Sequence, residues 1–355
     1  MCRRGRRARW NSRASALAII LPGMRSTRFP RCQLPGGLAL AMALQVCGLV
    51  GAPEDVHAQP GTVEHVATVA GGAVVVHAAG SLAVTADGNT LKVLDLSTPE
   101  SPVTRGTLTL TDRIWDLVVD HDRAYVANGF VGFVVVDLAD PDAPTVRGSY
   151  EVVSQGQTVS IALADNVVLT TNNQTGLNAF DVSDPTSPRL LTSWLTGGYS
   201  RDVAGMGTLG LVADQPDGLH VVDLSDPSNP LEASVHFAEG ETTQLVVSSP
   251  ATATAFIVDG ATSTVEIVDL TDPTSAALAG TYTAPGRVMH VAAEGSTLFL
   301  AQAGQGLSIV DVSTPSAPHL TASYDTPGAV VGIALLDDLI LVADTEALLV
   351  LRHRP

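Results

Sequence analysis

One stretch decides the fold of this chain: Val221-Val222-Asp223-Leu224-Ser225-Asp226-Pro227-Ser228-Asn229-Pro230. It joins an apolar strand that ends in aspartate to a polar step and an Asp-Pro turn. Close copies occur at 93–102, 135–144, 179–188, 267–276 and 309–318. Their aspartates, at 95, 137, 181, 223, 269 and 311, are spaced by 42, 44, 42, 46 and 42 residues. A repeat of about 40–45 residues built from short strands predicts a β-propeller, a ring of small sheets.

The strand before the turn is apolar on both faces. Leu219 and Val221 point to one face and Val222 to the other, because side chains alternate along a strand. The strands at 133–138 and 307–312 repeat this pattern. A sheet of this kind must be covered on both sides, so we expect neighbouring sheets to stack on it. Each buried side chain of this size contributes about 1.5–3 kcal/mol.

Seven inner strands are predicted, beginning near Val74, Ile114, Val159, Arg201, Thr243, Val288 and Val330. The last unit contains strands near 339–343 and 348–351, but the sequence supplies no outer strand after them. The segment 63–69, before the first inner strand, is an unmatched strand candidate. We therefore predict an all-β, seven-bladed propeller with four-stranded blades, in which the N-terminal strand completes the last blade and closes the ring.

The N-terminal region has the order of a secretory signal. Basic residues, an apolar run at 38–50 and a small residue at 58 follow one another, and Met24 is an alternative start. We predict a leader at 1–58 and a single propeller domain at 59–355. The cysteines are at positions 2, 32 and 47, so the mature chain would have none. A lipoprotein would need Cys47 as its attachment site, but the residues before Cys47 are not small.

The charge is distributed unevenly. The whole chain has a formal charge of −17, and residues 1–58 carry nine arginines against two acidic residues. The remaining residues therefore carry −24. Such a surface repels phosphate backbones, which argues against nucleic acid as a partner. We expect a monomer without a transmembrane segment in its mature form, located outside the cytoplasm as a secreted, periplasmic or surface-attached protein, with a protein or glycan as its partner.

The repeat resembles the LVIVD-repeat family of bacterial and archaeal propeller proteins. The motifs that carry this resemblance are Leu219-His220-Val221-Val222-Asp223, Leu307-Ser308-Ile309-Val310-Asp311, Val265-Glu266-Ile267-Val268-Asp269 and the inner-strand signature Arg201-Asp202-Val203-Ala204. The similarity covers about 62–355. Ala276 replaces a turn proline, and Arg352 stands where the repeat has aspartate. The resemblance implies a secreted or surface-exposed propeller and implies no particular reaction.

Polar residues follow the second strand of every repeat: Asp87, Asn128, Asn172, Asp214, Asp259, Gln302 and Asp344. Short polar side chains cap tight hairpins, which is one interpretation of this set. The other is a ring of carboxylates and amides at the channel mouth that holds a cation or a polar ligand.

A second set of residues is predicted to line the central channel: Val75, Asp116, Ser160, Asp202, Gln244, His290 and Gly332. Three residues near the entrance complete the candidate ligand-binding set, which comprises Trp115, Asp116, Tyr199, Arg201, Asp202, Gln244 and His290. A concave site with a few polar groups is the default binding hypothesis. The alternative is a water-filled channel with hydrogen-bonded polar walls.

Motifs of enzymes are absent from the sequence, including Gly-x-Ser-x-Gly and His-Glu-x-x-His. Asp116, Asp202 and His290 are the weak catalytic candidates. We predict no metal site in the repeated aspartates, because one carboxylate per blade cannot supply the six to eight oxygens that Ca²⁺ requires. Each is expected to accept hydrogen bonds from its following turn. No cofactor is expected, although Ca²⁺ stays open.

Three functions are compatible with these patterns. The first is a secreted, non-catalytic binding or scaffold protein that presents the propeller's top face to a protein, a glycan or a small polar ligand. The second is an extracytoplasmic hydrolase or lyase with its site in the channel. The third is a cell-surface structural protein. The fold does not separate them, because propellers host many functions.

Overall fold

The computed structural model of the chain describes residues 62–151, 156–164, 166–173, 176–238, 240–247 and 252–354. These residues contain 28 β-strands and one short 3₁₀ turn, Pro273–Ser275. All of them belong to one compact unit. The predicted leader at 1–58 lies outside the described residues. In the part of the chain that is described, no helix has the length and apolarity needed to span a membrane.

The first three blades follow the chain order. Blade 1 consists of β2 (Val75–Ala79), β3 (Leu82–Asp87), β4 (Thr90–Asp95) and β5 (Val103–Thr109). Blade 2 consists of β6 (Asp116–Asp120), β7 (Arg123–Ala127), β8 (Phe133–Asp137) and β9 (Thr145–Tyr150). Blade 3 consists of β10 (Thr158–Ala164), β11 (Val167–Asn172), β12 (Gly176–Asp181) and β13 (Arg189–Trp194).

The next three blades repeat the same antiparallel order. Blade 4 consists of β14 (Tyr199–Met206), β15 (Leu209–Gln215), β16 (Gly218–Asp223) and β17 (Leu231–His236). Blade 5 consists of β18 (Thr242–Val247), β19 (Thr254–Asp259), β20 (Thr264–Asp269) and β21 (Ala277–Thr283). Blade 6 consists of β22 (Val288–Glu294), β23 (Thr297–Gln302), β24 (Gly306–Asp311) and β25 (His319–Tyr324).

Blade 7 joins the two ends of the chain. It consists of β26 (Val330–Leu336), β27 (Leu339–Asp344), β28 (Ala347–Arg354) and β1 (Thr62–Ala70). The pairing of β1 with β28 runs from Thr62 opposite Arg354 to Ala70 opposite Ala347. An ion pair between Arg354 Nη2 and Glu64 Oε2, at 2.8 Å, supports the outer end. The predicted all-β fold, with seven four-stranded blades and closure by the N-terminal strand, is therefore confirmed.

The core lies between the blades. On one face of blade 4, Val222 packs in a cluster with Leu169 and Leu177 of blade 3. On the other face, Val221 packs in a cluster with Leu245 and Ile257 of blade 5. Both faces of the strand are thus covered by neighbours, as the sequence predicts for a stacked ring.

The repeated aspartates have a structural role at the turns. Asp223 Oδ1 accepts a hydrogen bond from the backbone N–H of Ser225 at 2.8 Å, and this bond lowers the pKa of Asp223. The other five aspartates accept the same bond from the residue two positions on: Asp95, Asp137, Asp181, Asp269 and Asp311. Each carboxylate therefore fixes the turn into the outer strand, as expected.

Candidate functional site

A central cavity of about 470 Å³ lies between the inner strands. Its wall contains all seven residues predicted to line the channel: Val75, Asp116, Ser160, Asp202, Gln244, His290 and Gly332. Trp115 and Arg201 also line it. Tyr199 lies outside the wall, at the start of β14, and is 59% exposed. The alternation of side chains along seven equivalent strands brings these groups to one axis.

Two partly buried carboxyl groups share one hydroxyl in this channel. Ser160 Oγ lies 3.0 Å from Asp116 Oδ2 and 2.6 Å from Asp202 Oδ1. Burial, followed by the negative charge of Asp202, raises the pKa of Asp116 to about 7. Burial also raises the pKa of Asp202. The charged form of a buried carboxyl is disfavoured, so Asp116 holds its proton up to about neutral pH.

The same polar groups connect neighbouring blades. Asp116 Oδ2 accepts a hydrogen bond from Ile161 N at 3.0 Å, and Asp202 Oδ2 accepts one from Leu245 N at 2.8 Å. In each case the donor lies on the inner strand of the next blade. Ser160 Oγ also connects neighbouring blades, because it accepts a hydrogen bond from Val203 N at 3.3 Å. These contacts give the channel carboxyls a structural role in joining the ring.

Two histidines complete this set of contacts. His77 Nδ1 accepts from Val119 N at 3.2 Å, and His290 Nδ1 accepts from Ile333 N at 3.4 Å. Burial lowers the pKa of both rings to about 4, and for His290 the charge of His77 adds to it. Sequence reasoning missed His77, although it lies two residues after Val75 and therefore on the same face of β2.

The weak catalytic candidates are brought together only in part. Asp116 and Asp202 meet at Ser160, whereas His290 bonds to the backbone of blade 7. Within the described residues, no hydrogen bond joins His290 to either carboxyl group. Among the described residues, the channel therefore presents a carboxyl pair to which no histidine is hydrogen-bonded.

The polar residues that follow the second strands are mostly buried. Six of the seven are buried, namely Asn128, Asn172, Asp214, Asp259, Gln302 and Asp344, and Asp87 is exposed. Gln302 Oε1 accepts from Gly286 N at 2.9 Å, and Asp344 Oδ2 accepts from Gly328 N at 2.7 Å. Gln302 and Asp344 thus tie their hairpins to the loop that precedes the inner strand. None of the seven belongs to the wall of the central cavity described here.

One of these residues belongs to a cluster that sequence reasoning missed. Asp214, Asp217 and His220 each place one ligand-type atom within 4.8 Å of the other two. The histidines in the sequence lack the spacing of known metal motifs, so the cluster was not predicted. The sequence feature that could have revealed the cluster is that all three residues lie in one hairpin, formed by β15 and β16.

Large apolar side chains are exposed at the hairpin end of blades 2 to 4, called here the top face. The set consists of Trp115 (38%), Phe130 (67%), Leu195 (69%), Tyr199 (59%) and Phe237 (74%). Four of them lie in a hairpin between second and third strands or in connections to the next inner strand, which share one end of the ring, and Tyr199 is the first residue of inner strand β14 at the same end. The guanidinium of Arg113 lies 4.5 Å above the Trp115 ring. Arg201 Nε donates to Gln215 Oε1 at 3.2 Å.

Comparison with known proteins agrees with the architecture. The LVIVD repeat matches residues 113–152, 155–196, 197–235 and 285–326, so the chain carries this repeat in four places, consistent with the LVIVD-repeat propeller family. No curated protein matches the chain. Two solved structures are also similar to the chain. Their sequence identities are low, so the similarity shows the fold alone.

The β-propeller domain of Cps50 (Swd1) from Myceliophteria thermophila is similar with a TM-score of 0.67 and 13% identity, covering 82% of this chain and 99% of that one. The computationally designed Ika8 protein is similar with a TM-score of 0.61 and 9% identity, again covering 82% of this chain and 99% of that one.

Proposed function

For a seven-bladed propeller that carries LVIVD repeats, a binding or scaffold role fits the architecture, and we propose that this chain is an exported, non-catalytic binding module. Its ligand is a protein with a basic and partly apolar surface, which docks on the top face. The observation that carries the proposal is the exposed apolar set at that end. Clusters of exposed aromatic residues are enriched at protein interfaces.

The choice of a basic partner rests on charge. Residues 59–355 carry a formal charge of −24, so a partner with basic residues around its apolar contact gains electrostatic attraction on approach. Export is supported by the order of basic, apolar and small residues in the first 58 positions. The location outside the cytoplasm thus belongs to the same proposal.

The contacts of the channel residues support a structural role over a catalytic one. Asp116, Ser160 and Asp202 use their oxygens to accept hydrogen bonds from the next blade, which leaves little capacity for substrate. His290 is engaged in the same way. An acid–base pair would need a group that is free to exchange protons with a substrate at hydrogen-bond distance.

The proposal is tested by capture from the extracytoplasmic fraction of the source organism, with the immobilised full chain as bait. The variant Phe130→Ser/Phe237→Ser removes two top-face side chains. The control Val146→Ser/Leu320→Ser removes two exposed apolar residues from outer strands, although these are less exposed than Phe130 and Phe237. We expect wild type and control to retain the same basic protein, and the top-face variant to lose at least about tenfold in affinity.

Two results would contradict the proposal. One is equal retention of the partner by the top-face variant and the control. The other is binding to a glycan array that the top-face variant also loses, with no protein captured, because the ligand class would then be a sugar. Comparison of 50 mM with 500 mM salt checks the charge argument, since attraction between exposed charges weakens with salt.

A further inference from the structure

The hairpin between β15 and β16 brings three side chains with ligand atoms together. Asp214 pairs with Gly218 and His220 pairs with Val212 across the two strands. Asp214 and His220 therefore lie on the same face of blade 4, and Asp217 stands in the turn between them. One ligand-type atom of each lies within 4.8 Å of the others.

Two residues of this cluster each carry a buried and unpaired atom. Asp214 is 0% exposed and His220 is 4% exposed. Among the described residues, neither Asp214 Oδ1 nor His220 Nε2 has a hydrogen-bond partner. Most buried polar atoms in folded proteins are paired, so two orphans that belong to one cluster point to a bound species.

The other atom of each group is held in place. Ser200 Oγ donates to Asp214 Oδ2 at 2.8 Å, which leaves Oδ1 free. His220 Nδ1 lies 3.1 Å from Glu232 Oε2. Because a carboxylate only accepts, Nδ1 carries a proton, and the tautomer with that single proton presents the lone pair of Nε2. A histidine held by a carboxylate through its second nitrogen is the usual arrangement of a metal ligand.

A proline explains why the Asp214 oxygen lacks a partner. At the equivalent position of blade 7, Asp344 Oδ1 accepts from Glu346 N, two residues further on, at 2.9 Å. In blade 4 the residue two positions after Asp214 is Pro216, which has no N–H. The usual donor for this oxygen is therefore missing from the hairpin.

At the equivalent positions of blade 6, the two side chains hydrogen-bond to each other, an arrangement called here the closed pair. Gln302 and Ser308 occupy the positions of Asp214 and His220 in the strand register. There, Gln302 Nε2 donates a hydrogen bond to Ser308 Oγ at 2.5 Å, so these two side chains are partners of each other. Asp214 and His220 cannot do so, because Asp214 Oδ1 and His220 Nε2 both offer lone pairs when the ring is neutral. A cation resolves the mismatch for both atoms.

We propose that Asp214, Asp217 and His220 bind one divalent transition-metal ion in blade 4. Imidazole nitrogen with carboxylate oxygens suits zinc and similar ions, whereas Ca²⁺ takes oxygen ligands in larger number. Zinc bonds nitrogen and oxygen at about 2.0–2.2 Å, and rotation of the partly exposed Asp217 brings its oxygen towards the other two. Three protein ligands leave a fourth coordination position for water or a ligand group.

The test is Zn²⁺ binding to the full-length chain after chelator treatment. Cys2, Cys32 and Cys47 are replaced by serine in all samples, because thiolates also bind zinc. Binding is measured by calorimetry and by thermal melting. Trp194 gives a local signal, since its ring centroid lies 5.5 Å from that of His220. We expect one ion per chain, a raised melting temperature and a change in tryptophan fluorescence.

Two variants make the result specific. Asp214→Gln/His220→Ser copies the closed pair of blade 6, and we expect its zinc affinity to fall at least 100-fold. The control Asp120→Asn/His121→Asn removes an exposed Asp–His pair and is expected to bind as the parent does. If the double variant does not fold, His220→Gln alone replaces it, with the same expected loss.

The proposal is overturned if the parent binds no zinc, which would mean that water fills the site. It is also overturned if Asp214→Gln/His220→Ser and the control bind zinc equally well, or if Ca²⁺ binds more tightly than Zn²⁺ and is lost in the same variant. Binding of a basic protein to the top face is measured separately, so either proposal can fail alone.

Discussion

Blades 4 and 6 have the same strand order and the same pairing register, yet they treat two buried positions differently. In blade 6, Gln302 and Ser308 bond to each other. In blade 4, Asp214 and His220 stand at those positions, each with a buried atom that has no partner among the described residues. The repeat therefore sets the backbone of every blade, whereas two side chains decide whether a blade is complete by itself. Blade 4 thus leaves two buried atoms unpaired at positions where blade 6 forms a hydrogen bond.

The comparison assumes that all blades stand in one closed ring, and deletion of Thr62–Ala70 tests that assumption. The deletion exposes the edge of β28, which otherwise pairs with β1 over the length of the strand. We expect the melting temperature to fall by at least about 10 °C, or the chain to aggregate. Replacing 62–70 with another alternating strand sequence is the control. A soluble deletion variant with unchanged melting would show that the ring is stable without closure.

A second prediction concerns the partly buried carboxyls of the channel, where the raised pKa of Asp116 lets this group hold a proton. Burial, followed by the charge of Asp202, raises the pKa of Asp116 from its ordinary value of 3.8 to about 7 in the folded chain. Between these values the folded state binds more protons, so the free energy of unfolding falls as the pH rises from about 4 to about 7. The Asp116→Asn substitution removes this decrease in the free energy of unfolding, which amounts to at most about 4 kcal/mol.

The measurement is the difference in unfolding free energy between wild type and Asp116→Asn at pH 4, 5.5 and 8. A difference is needed because His77 and His290 act in the opposite direction. Burial lowers their pKa to about 4, so their stabilising effect is lost as the pH falls below about 6.5. A wild-type advantage that stays constant across this range would contradict the raised pKa of Asp116.

Two substitutions, one in blade 6 and one in blade 4, have the smallest expected effects and compare these blades directly. Ser308→Ala leaves Gln302 Nε2 buried without its acceptor and should lower the unfolding free energy by about 1–3 kcal/mol. His220→Leu, in chelator-treated protein, removes a ring whose Nε2 is already unpaired and should cost less. Chemical denaturation measures both. The reverse order of cost would mean that His220 already has an adequate partner in the metal-free chain.

Most of the fold could be predicted because every blade repeats the same local signals. An apolar strand, an aspartate and an Asp-Pro turn specify one blade, and Val222 with Val221 requires neighbours on both faces. Alternation also placed Asp116 and Asp202 in the channel wall. These features depend on spacing along one strand, which a sequence displays directly.

The bonding at the sites could not be predicted, because it depends on contacts between strands. Asp116 meets Asp202 only through Ser160 on the blade between them. His220 reaches Glu232 on the neighbouring strand β17. One local signal was readable, namely Pro216 two residues after Asp214, which removes a donor that other hairpins use.

The pairing of β1 with β28 also sets the timing of folding. A strand at the start of the described chain and one at its end share blade 7, so this sheet cannot form until β28 has left the ribosome. Contacts of such long sequence separation form slowly, because the loop-closure entropy precedes the gain in contacts. Until then β1 has no strand to pair with, and the incomplete ring can associate with other chains. The time before β28 is available is therefore when a chaperone would matter most.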